Sequence, residues 1–384
     1  MRVALVAGET SGDVLGAELI KSIRALAPSA EFFGIGGPDM TEAGCKSWFR
    51  TEELSVMGLT EVFRDLPRLL KIRRELNKNF LEMRPDIFIG IDSPDFNLPV
   101  ARTLKKRGIP TVQYVSPQVW AWRQSRVASV RKATDLVLCI LPFEINFYEH
   151  HAVNAVFVGH PLADQIPITS SQEDARARLE LMGVGPIVAV LPGSRRNEVL
   201  RLSRPFLETM QWLKKRRPEL VFVMAFSTQE MKDVFLEQTV GMDMYPAPKF
   251  FCGKARQVMA ASDVVLTASG TASLEAMLLK RPMVVAYKIS SLTYWILKVM
   301  GVRKLQNFSL PNLLSAQSLM PEYLQDQVCA EVLGPALLNF LNEGALSAHW
   351  KDAFIVIHKQ LKCNASKQAA SAIIDLLIDY KDGS

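Results

Sequence analysis

Short apolar runs recur along this chain, each followed by a small or polar loop and then by a stretch with helical apolar spacing. Arg2–Ala7 is the first run; Gly8-Glu9-Thr10-Ser11-Gly12-Asp13 follows it, and Val14–Leu26 reads as helix. Phe32–Ile35 leads into Gly36-Gly37-Pro38, and Asp86–Ile91 into Asp92-Ser93-Pro94-Asp95-Phe96-Asn97. Thr111–Val115 follows a Gly-Ile-Pro turn, Leu136–Ile140 follows a helix after Trp122, and Val156-Phe157-Val158 precedes Gly159-His160-Pro161. Continuously apolar strands separated by helices predict a parallel sheet covered on both faces. The stretch Ile166–Gly185 is polar and bounded by Pro and Gly, so it predicts a linker plus a helix over Gln172–Met182. A second series follows: Ile187–Leu191, Val221–Ala225, Val264–Thr267 and Met283–Tyr287. The tail Ser347–Tyr380 has helical spacing. The pattern predicts an α/β chain of two doubly wound parallel-sheet domains, 1–165 and 166–346, with a helical tail over 347–384. Two such halves facing each other leave a cleft at the carboxyl ends of their strands, where ligands of these sheets bind.

Composition narrows the partners without naming one. The 384 residues suffice for two domains. With 49% hydrophobic and 22% charged residues the chain is globular and not disordered. A net charge of +6 and a pI of about 9.0 fit an anionic partner: a nucleotide, a nucleic acid or an acidic membrane surface. Five scattered cysteines (Cys45, Cys139, Cys252, Cys329, Cys363) lack metal spacing and read as reduced residues of a cytosolic protein. His150-His151 reads as a surface turn. Met1–Gly8 already reads as a strand, which predicts no signal peptide. No apolar stretch reaches the roughly eighteen residues a membrane span needs.

The chemistry concentrates in loops at strand ends. Ala268-Ser269-Gly270-Thr271-Ala272-Ser273-Leu274-Glu275 carries small residues from a strand to a helix start. Unpaired N–H groups and the helix dipole favour a phosphate there. Glu275, one turn on, is placed to accept from a ribose diol. The same residues also fit a turn that serves helix capping alone. Pro192-Gly193-Ser194-Arg195 pairs another helix start with a guanidinium suited to a diphosphate and to charge on a departing nucleotide. In the first half, Asp92 and Asp95 stand at a strand end, where a carboxylate can deprotonate an attacking hydroxyl; Asp95 also fits as the cap of a helix starting at Phe96 or Asn97. Glu9 and Asp13 lie in the first strand–helix loop. The Gly8/Gly12 spacing is not the dinucleotide fingerprint.

Several of these motifs closely resemble the lipid-A-disaccharide synthase family. They are Gly8–Asp13, Gly90–Asn97, Tyr114–Arg123 with its Ser-Pro-Gln-Val-Trp-Ala-Trp run, Leu191–Arg195, Ser269–Glu275 and Ser309-Leu310-Pro311-Asn312-Leu313-Leu314. The resemblance runs from the first strand to Cys363-Asn364-Ala365. It implies a GT-B fold of two Rossmann-like domains and an inverting glycosyltransferase that needs no metal and no cofactor. The implied reaction joins UDP-2,3-bis(3-hydroxyacyl)glucosamine to the 6-hydroxyl of 2,3-bis(3-hydroxyacyl)glucosamine 1-phosphate. It yields UDP and a β-1,6-linked disaccharide 1-phosphate, in lipid A biosynthesis. By similarity Glu9, Asp92, Arg195 and Asn312 are the important polar positions, with Asp92 the candidate base. Gly193, Ser194, Arg195, Ser269, Gly270, Thr271 and Glu275 would hold UDP. The family also implies a homodimer with exchanged C-terminal segments, peripheral on the cytoplasmic face of the bacterial inner membrane. The residues agree on metal, since no Asp-x-Asp triplet occurs to hold a diphosphate-bridging cation.

Acylated substrates call for an apolar surface at an anionic membrane. In Met57–Leu76, Met57, Leu59, Val62, Phe63, Leu66, Leu69 and Leu70 interleave with Arg64, Arg68, Lys71, Arg73 and Arg74, and Pro67 predicts a break into two short helices. A sheet-packed helix with a solvated basic face has the same pattern. Leu292–Met300, flanked by Arg303 and Lys304, is a second candidate, and the Trp120/Trp122 pair fits an acyl or acceptor pocket or the core. Two rival readings share the loops: a UDP-sugar epimerase-like enzyme, and a non-catalytic UDP-binding membrane scaffold. A nucleic-acid partner is disfavoured, because the basic residues alternate with leucines and not with stacking aromatics.

Overall fold

The computed structural model describes residues 1–54, 59–117, 126–245, 247–289, 307–315, 317–343 and 348–382, with the backbone alone at 52, 59–65, 343, 348 and 349. The chain divides into two compact units, Met1–Asp164 with Leu361–Ser384, and Gln165–Gln360.

The first unit is built on β1 (Arg2–Ala7), β2 (Glu31–Ile35), β3 (Cys45–Phe49), β4 (Ile87–Ile91), β5 (Thr111–Tyr114), β6 (Leu136–Cys139) and β7 (Ala155–Phe157). They form one parallel sheet in the order β3-β2-β1-β4-β5-β6-β7. Successive side chains of a strand point to opposite faces, so a sheet covered on both sides needs apolar residues at both parities. β1 meets that demand. Val3 and Leu5 join a core with Leu19, Ile20, Ile23, Ala370 and Ile373; Ala4 and Val6 join another with Phe80, Phe88, Val100 and Leu104. The last helix, Ala365–Asp382, packs on Thr10–Leu26 of the same chain. Asp164 accepts the N–H groups of Asn364 (2.9 Å) and Ala365 (2.6 Å) and so fixes the start of that helix.

The second unit repeats the plan. β8 (Ile187–Leu191), β9 (Val221–Phe226), β10 (Lys249–Cys252), β11 (Val264–Ala268), β12 (Met283–Tyr287) and β13 (Glu322–Leu324) pair in the order β10-β9-β8-β11-β12-β13, all parallel. Val188 and Val190 pack with Val199, Phe206, Met210 and Leu333 on one face. In both sheets the chain winds outward from the first strand, then returns to its other side. The reversals fall between β1 and β4 and between β8 and β11. At such a switch point the flanking loops splay apart and leave room for a ligand.

Three strands were not expected: β3, β10 and β13, all at sheet edges. An edge strand is covered less completely, so its apolar signal is weak. The helix expected over Gln172–Met182 ends at Arg178, and Glu180 takes a left-handed φ of 55° just beyond. Pro67 does not divide its segment: one helix runs Leu59–Met83 with Pro67 inside it. An internal proline costs about 3 kcal/mol. Farther along, Ile72, Leu76 and Phe80 are buried against the sheet, each contributing about 1.5–3 kcal/mol, which outweighs the break. No described helix is long and apolar enough to cross a membrane.

Candidate active site

The loops after β1 and β4 meet at the first switch point. β1 pairs with β4 through Ala7 and Ile91, so Gly8 comes beside the turn that follows β4. A Cβ at Gly8 would stand 2.5 Å from Ser93 Oγ and 3.0 Å from its Cβ, so a side chain there would force Ser93 to move. Asp92 and Ser93 have φ values of 51° and 38°. Two adjacent non-glycine residues in that region are strained and need outside support. The support is explicit. Asp92 N–H donates to Tyr114 O at 2.9 Å. Asp92 O accepts Asn97 Nδ2 at 2.8 Å and Gln113 Nε2 at 3.0 Å, and both amides are buried. Val115, just past neighbouring β5, is also left-handed at φ 71°.

Glu9 is exposed at the start of the helix Thr10–Leu26, and its side chain does not cap that helix. Asp13 is buried and structural. Its carboxylate accepts the N–H groups of Gly37 (2.8 Å), Met40 (3.0 Å) and Asp39 (3.0 Å), tying the loop after β1 to the loop after β2. Asp95 is not a cap: the helix runs Pro94–Lys105, Ser93 holds the capping position, and no side chain caps it. The tight turn starts the helix at Pro94, two or three residues before the expected Phe96 or Asn97. The exposed Asp95 carboxylate pairs instead with Arg126.

The loops after β8 and β11 meet at the second switch point, where Leu191 pairs with Thr267. Gly193 has φ 121°. The N–H groups of Ser194 and Arg195 donate to Glu198 Oε2 at 3.1 and 3.3 Å. Glu198, in the first turn of the helix Arg196–Arg216, thus covers the amides expected to face a phosphate. The Arg195 side chain is exposed and has no ion pair among the described residues. Burial, with the Glu198 charge beside it, holds the Tyr287 phenol above its ordinary pKa, while Arg195 and Arg201 oppose that shift. Across the switch point, Gly270 at φ 137° opens the helix Thr271–Leu278 and no side chain caps it. Glu275, half-buried one turn on, pairs with Arg256 at 3.4 Å.

Asn312 is buried and its amide is fully engaged. Nδ2 donates to Glu322 Oε1 (2.7 Å) and Met320 O (2.8 Å); Oδ1 accepts from Leu319 N (2.8 Å) and Met320 N (3.0 Å). Glu322 on β13 also accepts the N–H groups of Phe308 (2.8 Å) and Ser309 (3.0 Å). Ser269 Oγ donates to Phe308 O at 3.5 Å, so this clasped segment adjoins the Ser269–Thr271 loop. Glu9 and Asp92 thus lie in adjoining loops of one unit; Arg195, Ser269–Glu275 and Asn312 belong to the other.

Of the expected membrane face, Leu66 and Leu70 are exposed, 44% and 39%, four residues apart on one helix. Leu69 turns inward onto the core. Met57 and the side chains of Leu59, Val62 and Phe63 lie outside the described residues, as do Trp120, Trp122 and Leu292–Met300. Gln113, Glu198, Arg256 and Glu322 were not anticipated. Glu198 carried a signal, a glutamate at the third position of a helix; the others are evident only once distant segments fold together.

Solved structures that are similar to the chain include the glycotransferase of kitacinnamycin (16% identity, 97% of this chain and 98% of that one, TM-score 0.62). Another is the UDP-GlcNAc 2-epimerase of Methanocaldococcus jannaschii in complex with UDP-GlcNAc and UDP (14%, 97% and 99%, TM-score 0.62). At such identities the likeness bears on the fold, which is the expected GT-B class. A curated lipid-A-disaccharide synthase from Alkalilimnicola ehrlichii is 50% identical over 376 residues, covering 97% of this chain and 98% of its own. One from Xanthomonas campestris pv. campestris is 47% identical over 384 residues, covering 100% and 87%. A family model described as Lipid-A-disaccharide synthetase matches residues 3–373. The match takes in both switch points and every motif that first suggested it, and the chain belongs to the lipid-A-disaccharide synthetase family of glycosyltransferases.

Proposed function

We propose that this enzyme transfers 2,3-bis(3-hydroxyacyl)glucosamine from UDP to the 6-hydroxyl of 2,3-bis(3-hydroxyacyl)glucosamine 1-phosphate, with inversion. The observation that carries the reading is the family match across residues 3–373. Asp92 is the general base. Its support is a strained turn at a switch point, over-determined by two buried amides, where strain is tolerated for a functional gain. Glu9, in the adjoining loop after β1, orients the acceptor. Arg195 neutralises the departing UDP: its guanidinium has no carboxylate competing for it among the described residues. The amides at Gly270 and Thr271 take a phosphate at the helix start, with Ser269 at the rim. Gly193 and Ser194 shape the facing turn, and Glu275 holds the ribose. Asn312 acts as a positioning residue, because its amide is already filled by protein partners.

The first unit takes the acceptor and the second the UDP-sugar; of the expected tail 347–384, only the part from Leu361 on belongs with the N-terminal unit, while the stretch up to Gln360 belongs to the second unit. The enzyme works as a homodimer docked on anionic lipid of the inner membrane's cytoplasmic face; an exchange of C-terminal segments would put the partner's copy of the helix Ala365–Asp382 where the chain's own now packs on Thr10–Leu26. The exposed Leu66/Leu70 pair within a basic helix supports the docking.

UDP release in mixed micelles, omitting each substrate in turn and adding EDTA, tests the reading. Release that needs both substrates and survives EDTA is expected. Release without the acceptor would point to a hydrolase or epimerase; no release with UDP still bound would leave a scaffold.

A further inference from the structure

The first turn of the helix Pro94–Lys105 lies three residues beyond Asp92, and two guanidinium groups bear on one residue there. Arg73 Nη2 donates to the backbone oxygen of Asp95 at 3.2 Å, and Arg126 pairs with the Asp95 carboxylate. Two cations therefore meet one carboxylate. Arg73 is the under-compensated one. It stacks over the Phe96 ring, 5.2 Å from its centroid, and its Nε is buried without a hydrogen-bond partner. Its one hydrogen bond among the described residues goes to a neutral carbonyl. Burial lowers its pKa, and the nearby Asp95 charge offsets this in part. A half-buried cation that hydrogen-bonds a neutral carbonyl and shares its one nearby carboxylate with a second guanidinium has lost hydration and regained only part of it, and an anion recovers the rest. The planar fork of arginine matches a phosphate, and ring stacking fixes its plane beforehand.

We propose that Arg73, flanked by Arg126, binds the anomeric phosphomonoester of the acceptor and so sets which end of that sugar faces Asp92. The inference rests on the transferase reading, which supplies a sugar phosphate as acceptor. The anomeric phosphate and the 6-hydroxyl lie at opposite ends of one hexose. A phosphate held at the helix start therefore points the hydroxyl back toward the strand end. A diphosphate of the donor is not the occupant, because the loops suited to it belong to the second unit.

The test is a binding titration of the full chain with two short-chain, micelle-free acceptor analogues: the diacylglucosamine 1-phosphate and its neutral 1-O-methyl glycoside. Wild type binds the phosphate analogue about tenfold to a hundredfold more tightly, the range for charge-assisted hydrogen bonds. In Arg73→Ala the two analogues bind within about twofold of each other, by loss of affinity for the phosphate alone. Arg73→Lys, which keeps the charge and loses the fork, falls between. Wild type without a preference would overturn the proposal, as would an Arg73→Ala preference as large as wild type's. A loss shared equally by both analogues would also overturn it, by making Arg73 merely structural. Thermal melting reads the fold of each variant, and the lysine variant stands in where alanine does not fold. The titration needs no turnover, so it stays readable if Asp92→Asn retains full activity and the base reading fails.

Discussion

Asn97 donates its side-chain amide to the carbonyl oxygen of Asp92 at 2.8 Å, from five residues along the chain and from inside the core. That bond, with the one from Gln113, holds a strained turn whose side chain is the proposed base. Replacing Asn97 by Leu keeps the branched outline of the side chain and removes the donor. The expected result is a kcat lower by about a hundredfold, the scale of an ångström-sized misplacement. UDP affinity should stay unchanged, since the nucleotide reading lies in the second unit. Steady-state kinetics beside a UDP titration checks this. Wild-type kcat in a folded variant would mean that the turn does not depend on that amide.

Arg195 should act only when charge develops on the leaving UDP. Arg195→Ala is therefore expected to lower kcat and kcat/KM together, by about 10²–10³-fold, as loss of one preorganised donor does. Arg195→Lys should recover part of the loss, because a point charge replaces a fork. A variant with raised donor KM and unchanged kcat would make Arg195 a ground-state binder.

The interior strands were legible because both faces of each sheet are covered, which leaves apolar or small residues at all positions of β4 and β8 and at all but Arg2 of β1 and Thr267 of β11. Edge strands such as Lys249–Cys252 and Glu322–Leu324 were not, because partial exposure permits charged residues in them. The same asymmetry governs the site. Asp92, Arg195 and Ser269–Glu275 follow apolar strands and could be read from that place alone. Glu322 could not, since its task of clasping Phe308, Ser309 and Asn312 depends on a short edge strand returning beside β12. Asp95 misled for a local reason: the left-handed Asp92-Ser93 pair begins the helix at Pro94.

Asn312 organises its segment from within. Asn312→Ala would strand the N–H groups of Leu319 and Met320 and remove one of the donors that hold Glu322. Each buried group left unpaired costs about 1–3 kcal/mol. A lowered melting temperature and weakened UDP binding are expected together, because the clasped segment carries the Phe308 carbonyl that meets Ser269. Loss of kcat with unchanged melting and unchanged UDP affinity would instead put Asn312 in contact with the reacting atoms.

His160 gives the fold a pH dependence of known sign. Its ring is buried, its Nδ1 accepts the Leu162 N–H at 3.2 Å, and burial lowers its pKa from 6.5 to about 4. Between those values the unfolded chain takes up a proton that the folded chain refuses. Folding stability is then complete above pH 6.5 and falls as pH drops toward 4, by about 3 kcal/mol in all. His160→Gln keeps an acceptor and removes the titration, so its stability should change less across the same interval. Urea midpoints for both proteins, taken from pH 4 to 7, measure the difference. Curves of equal slope would mean that the imidazole is protonated in the native chain as readily as in the unfolded one.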